Sequence, residues 1–188
     1  NAKRVAVDIT RLAMQLVDAR GEGLVIVSLA RAGTPIGVVL KHVIGYKFGF
    51  HPPHYSISII RDRGIDENAL SYIRARHSDE TLAFVDGWTG KGAINAELKD
   101  SVHKYNQNHC ANICDELYVL SDIAGIAEGA GSQDDYLIPS AILNAPVSGL
   151  VSRSILNDSI KPGEFHGCLF YEDWLSSDRS TQFVDSIL

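Results

Sequence analysis

The chain has 188 residues, 45% of them hydrophobic, and a formal charge of −6 at pH 7. That length and apolar content suffice for one sizeable core, and the negative balance argues against a nucleic-acid surface driven by overall charge. No run approaches the roughly 20 apolar residues of a membrane span, no secretory pattern opens the chain, and three cysteines read as reduced thiols of a cytoplasmic protein.

In chain order, Val5, Ile9, Leu12, Leu16 and Val17 recur at helical spacing, and Gly21 ends the pattern. The abrupt opening "NAKRVAVDIT" leaves room for a segment upstream. Residues 23–30, "GLVIVSLA", form a continuous apolar run, the mark of a buried parallel strand. Arg31, Ala32 and Gly33 follow, then Thr34 in an N-cap place and Pro35 as the first residue of a helix through Val38, Val39, Lys41 and Val43. "HPPH" breaks the chain before residues 55–61, an alternating strand, and "ENALSYIRARH" reads as a helix. Residues 81–86, "TLAFVD", are another buried strand, followed by a helix over about 91–106 and a strand over 116–122. Residues 123–135 read as a loop or broken helix, and the apolar stretch after them is punctuated by Pro139 and Pro146. A strand is expected over 165–172 and a closing helix capped near Ser176 or Ser177. Strands alternating with helices predict an α/β fold: a mostly parallel, twisted, Rossmann-like sheet with helices on both faces. No repeat or linker interrupts it, so residues 1–188 read as a single domain.

The chemistry concentrates in "LAFVDGWTGKGAIN", where a buried strand ends in Asp86 and runs through Gly87, Gly90 and Gly92 into a helix. A helix start presents free N–H groups and a positive dipole end, and glycines let a phosphate approach them. Open parallel sheets bind ligands beyond the carboxyl ends of their strands, which is where this turn falls. Two common phosphate loops are excluded. A Walker loop needs glycine where Val85 stands, and a dinucleotide fingerprint needs glycine where Asn95 stands.

"FVDGWTGKGAI" resembles the ribose-phosphate signature of type I phosphoribosyltransferases, with Asp86 in the first acidic place, Gly87 replacing the second acid and Gly92 on the turn glycine. "VIVSLARAGTPIG" resembles the same family's pyrophosphate loop. A narrower likeness covers nearly the whole chain. "SLARAGTPIG", "DYLIPS", "VSGLVSR" and "FHGCLFYED" are similar to the phosphoribosyltransferase-like proteins of tellurium-resistance and stress-response gene clusters, sometimes labelled StiP-type cysteine proteases. It divides the one domain into a core over 23–122 and a family-specific part over 123–188.

The resemblance implies phosphoribosyl pyrophosphate with Mg²⁺ as ligand, and transfer of ribose 5-phosphate to a nitrogen nucleophile. Thr89, Gly90, Lys91, Gly92 and Ala93 would cradle the 5′-phosphate, with Gly87 beside them. Asp86 would hold the ribose hydroxyls or the metal, and Arg31, Ala32 and Gly33 the pyrophosphate. Arg61 and Arg63 would fold over it, and Asp122 would sit where the acceptor base is recognised. The partner is a small molecule, with a homodimer as a further expectation. Loss of the second acid at Gly87 opens a rival reading, a ribose-phosphate-binding regulatory module without catalysis.

The third reading is a cysteine hydrolase, which needs an exposed thiolate beside a histidine. Cys168 and His166, two apart on an expected strand, project to one face. Against this, the apolar "HGCLF" predicts burial of Cys168, and "SAILNA" offers no thiol because Ile142 stands where some relatives are expected to carry one. The plainer readings are a solvated charge cluster for Arg61 and Arg63, a structural role for His51 and His54, free thiols at Cys110 and Cys114, and a core anchor for Trp88. Ser148, Ser152 and Arg153 read as the polar edge of a packed segment.

Overall fold

The computed structural model describes residues 1–138 and 144–188; Ile142, read as standing in place of a thiol, and the end of "DYLIPS" lie outside them. Six strands form one sheet in the order β3-β2-β1-β4-β5-β6. They are β1 Val25–Ala30, β2 His54–Ile60, β3 Gly64–Ile65, β4 Leu82–Trp88, β5 Leu117–Ser121 and β6 Gly129–Ser132. All neighbours are parallel except β3, which turns back against β2. Among the described residues five α-helices accompany them: α1 Ala2–Arg20, α2 Gly33–Phe48, α3 Glu67–Arg74, α4 Ala93–His109 and α5 Ser180–Asp185.

The period-2 geometry of the strands splits the core in two. Ile26, Ala83, Val85, Tyr118 and Leu120 face α1, α2 and α5, meeting Leu12, Leu16, Ile36 and Leu40. Val27, Leu29, Phe84, Leu117 and Val119 point the other way, onto Leu70 and Ile73 of α3 and Leu98, Val102 and Tyr105 of α4. Each such fully buried aliphatic side chain contributes roughly 1.5–3 kcal/mol. Buried on both faces, these strands read as continuous apolar runs.

Three expectations are corrected. The helix after β1 begins at Gly33 without a side-chain cap, because Ala32 holds the N-cap place and has no side-chain acceptor; Thr34 lies inside the helix and its hydroxyl pairs with Ser56 Oγ at 2.5 Å. A strand, β6, lies within the stretch read as a loop or broken helix. Residues 165–172 form no strand of the sheet. They join the chain near residues 151–155 through isolated antiparallel bridges, Val151 with Phe170 and Ile155 with Gly167, leaving Leu169 and Phe170 exposed.

Candidate active site

Chain order reverses between β1 and β4, so both carboxyl ends open at the sheet's switch point. There the two sequence motifs meet. A Cβ added to Gly33 would lie 2.6 Å from the Val85 carbonyl oxygen and 3.2 Å from Asp86 Oδ1. We expect Gly33→Ala to destabilise the fold by about 1–3 kcal/mol through overpacking, read as a lowered urea midpoint; an unchanged midpoint would contradict this packing. Asp86 is only 8% exposed, and its Oδ1 accepts the Gly87 N–H at 2.7 Å. Burial pushes its carboxyl up to about 7. Beyond it Gly90 and Gly92 adopt positive φ, 54° and 86°, and Gly92 occupies the N-cap of α4.

Several of the other predicted residues are already engaged. Thr89 Oγ1 accepts the Ala124 N–H, and Asp122 spends both oxygens on the N–H groups of Ile126 and Ala127 in its own loop. That loop lies over the turn: Ile126 Cδ1 would be 2.7 Å from a Cβ at Gly92. Arg31 Nη1 donates to the Val151 carbonyl at 3.0 Å. Arg61 is exposed and sits 3.9 Å from Asp62, while Arg63 lines a cleft with Glu97 and Asp100 of α4. Lys91 and Ala93 are exposed. Trp88 is 42% exposed, so it is not the core anchor expected of it. Thus Gly33 and Asp86 meet, with Ala32 at the N-cap of α2, while Asp122 is turned to its own loop, Arg61 stands beside Asp62 and Arg63 lines a separate cleft with α4.

A second site lies beside this one. Between β1, β2, α3 and the ribbon of bridges is a cavity of about 470 Å³ lined by Ser58, Asp66, Tyr72, His166 and Cys168. Contrary to its expected burial, Cys168 is exposed. The apolar "CLF" stretch lies on a two-stranded ribbon at the surface instead of inside the sheet. His166 is fastened twice: its Nδ1 pairs with Ser58 Oγ at 2.8 Å, and its backbone N–H donates to Asp66 Oδ2 at 2.6 Å. Asp66 is itself held as the cap of α3, accepting the Ala69 N–H through Oδ1. Among the described residues neither His166 Nε2 nor Cys168 has a hydrogen-bond partner. Sequence reading missed Ser58 and Asp66; the signal for Asp66 was its place as N-cap in "GIDENAL".

The remaining thiols are poorly placed. Cys110 caps the carboxyl end of α4. Its neighbour His109 stacks on Tyr105 and faces Glu67 at 3.7 Å. Burial pushes the Cys114 thiol up, making it a poorer nucleophile. His54 is held by Ser28 Oγ, and burial lowers it to about 4, so it is a neutral structural histidine.

The architecture is the Rossmann-like α/β fold of type I phosphoribosyltransferases. The hypoxanthine phosphoribosyltransferase of Trypanosoma cruzi superposes with a TM-score of 0.51 at 17% identity, covering 70% of this chain and 78% of that one. A hypoxanthine-guanine phosphoribosyltransferase from Bacillus anthracis gives 0.49 at 16%, covering 71% and 79%. The chain belongs to the family described as Tellurite-like stress resistance cysteine protease StiP, whose model matches residues 1–188. It is 46% identical over 194 aligned residues to the Cysteine protease StiP of Acinetobacter baylyi, covering 98% of this chain and 50% of that protein. The chain therefore spans about half the length of the curated relative it matches.

These matches overturn the transferase reading, together with its phosphoribosyl pyrophosphate and Mg²⁺. The family and the relative carry the name of a cysteine protease, and the likeness to transferases is one of fold alone. Gly87 follows Asp86 where the transferase signature has a second acid, and among the described residues no three His, Cys, Asp or Glu side chains cluster. No helix among them is long and apolar enough to cross a membrane.

Proposed function

We propose that this chain carries a cysteine-hydrolase site acting on peptide bonds, with Cys168 as nucleophile and His166 as general base. The observation that carries it is a single cavity holding an exposed thiol and a histidine whose orientation is fixed by a third group. That is the arrangement an activated nucleophile requires. With Nδ1–H donating to Ser58 Oγ, the lone pair of His166 sits on Nε2. That tautomer is inferred from the hydrogen bond. Nε2 takes the thiol proton as Sγ attacks the scissile carbonyl carbon. The carbon–nitrogen bond then breaks, the leaving amine receives the proton from His166, and a thioester remains on Cys168. Water, deprotonated by the same Nε2, hydrolyses it. No hydrogen bond joins Sγ to the imidazole in the resting structure; such contacts commonly tighten only once substrate binds. We further propose that residues 1–188 form one domain, since the 123–188 part supplies both groups to a cavity walled by the sheet.

The test is site-resolved alkylation during peptide hydrolysis. With iodoacetamide, activity should fall in step with carboxamidomethylation of Cys168 and be indifferent to Cys110 and Cys114. Hydrolysis persisting after complete modification of Cys168 would refute the assignment. His166→Ala should lower kcat/KM by about 10²–10⁴-fold, the usual worth of a positioned base, measured on a fluorogenic peptide. An unaffected rate would remove His166 from the chemistry.

A further inference from the structure

Resting on the cysteine-hydrolase reading, we infer that the cavity beside Cys168 is a specificity pocket for a large, uncharged apolar side chain next to the scissile bond. Its wall is aromatic and aliphatic. Tyr55, Tyr72 and Phe165 form an edge-to-face series, with centroids 6.4 Å apart for the first pair and 5.9 Å for the second. Ile57 and Ile73 line the same cavity. Hydroxyl residues line it as well, and of these Thr34, Ser56, Ser58 and Ser152 are already hydrogen-bonded within the chain. A volume of about 470 Å³ lies within the ordinary range of ligand sites.

Among the described residues Asp66 is the one acid in the lining. It is buried at the N-cap of α3, and each of its oxygens already accepts a backbone N–H, so an entering lysine or arginine would gain less from it than from a free carboxylate while losing its own water. Among the described residues no basic side chain but His166 lines the cavity to receive a carboxylate. Arg76 lies over the Tyr72 ring and donates to the Tyr72 carbonyl, outside the lining. By contrast, Tyr72 and Phe165 are left substantially exposed, and an apolar side chain would cover them. Exposed aromatic surface at the mouth of a cavity is the usual mark of a contact site.

The preference is best read by covalent capture, so that it does not depend on turnover. Peptidyl chloromethyl ketones differing only in the residue next to the reactive carbon would be reacted with the chain, and Cys168 modification followed by mass spectrometry. Phenylalanine and leucine reagents should label Cys168 about 10-fold or more faster than lysine, aspartate or glutamate reagents, as expected of a hydrophobic pocket. Phe165→Ala and Tyr72→Ala should shrink that ratio while leaving the iodoacetamide rate unchanged. Equal labelling by all reagents, with iodoacetamide still reacting at Cys168, would overturn the pocket and leave the hydrolase reading standing. Selective labelling with hydrolysis surviving complete Cys168 modification would instead keep the pocket and remove the hydrolase.

Discussion

Cys168→Ala is expected to lower peptide hydrolysis by on the order of 10³-fold or more, because a covalent route has no substitute once its nucleophile is gone. Fold stability should change little, since the residue is exposed and makes no hydrogen bond among the described residues. The accompanying control is the pair Cys110→Ala and Cys114→Ala, which lie toward the amino-terminal end of β5, away from the switch point. Those variants should retain activity. The double variant Cys168→Ala/His166→Ala should be about as inactive as Cys168→Ala alone, because groups acting as one unit give grossly non-additive losses. Additive losses would mean that His166 acts on something other than the thiol. Full activity of Cys168→Ala in a steady-state peptide assay would end the proposal.

Asp86→Asn should remove a pH dependence of stability, and with it the second large effect. Burial raises the folded carboxyl from an ordinary 3.8 to about 7, so the folded state holds this proton over a range where the unfolded chain has released it. Stability therefore falls as pH rises from near 4 to about 7 and is level beyond. At about 1.4 kcal/mol per pH unit, the loss across that window is roughly 4 kcal/mol. Asparagine keeps an oxygen for the Gly87 N–H and carries no charge to desolvate. Urea unfolding at pH 5 and pH 8 should thus show the variant more stable by a few kcal/mol at pH 8 and much closer to the parent at pH 5. Parallel curves for the two proteins at both pH values would show that Asp86 ionises freely.

Much of the sheet was legible because β1, β4 and β5 are covered on both faces, and double burial leaves unbroken apolar runs such as "LAFV". Strand β6, "GAGS", carries no such signal. Its glycines answer a packing demand: a Cβ at Gly131 would meet Asp8 of α1 and the Leu120 carbonyl, and one at Gly129 would meet Tyr118. Close approach of α1 to the sheet edge therefore selects residues that hydropathy reads as loop. The error at residues 165–172 runs the other way. Leu169 and Phe170 are apolar yet exposed, because two bridges tie this stretch to the 151–155 segment and not to the sheet.

The turn from Asp86 to Gly92 was readable from local spacing, since strand, acid, glycines and helix follow one another directly. Its role was not, because what engages it comes from afar: Ala124 and Ile126 belong to the loop after β5. The Cys168 and His166 pair was visible as two residues of one extended segment. Its partners were not, for Ser58 and Asp66 precede His166 by 108 and 100 residues. No local periodicity encodes such a meeting; the β2-to-α3 connection and the ribbon together produce it.

The most direct measurement is intact-mass and peptide-mapping analysis of the chain quenched in acid during turnover of an activated peptide ester. A thioester one acyl group heavier than the parent, mapped to the tryptic peptide holding Cys168 and absent from Cys168→Ala, is the predicted result. Turnover with every cysteine peptide unmodified at all quench times would contradict a covalent mechanism at this thiol.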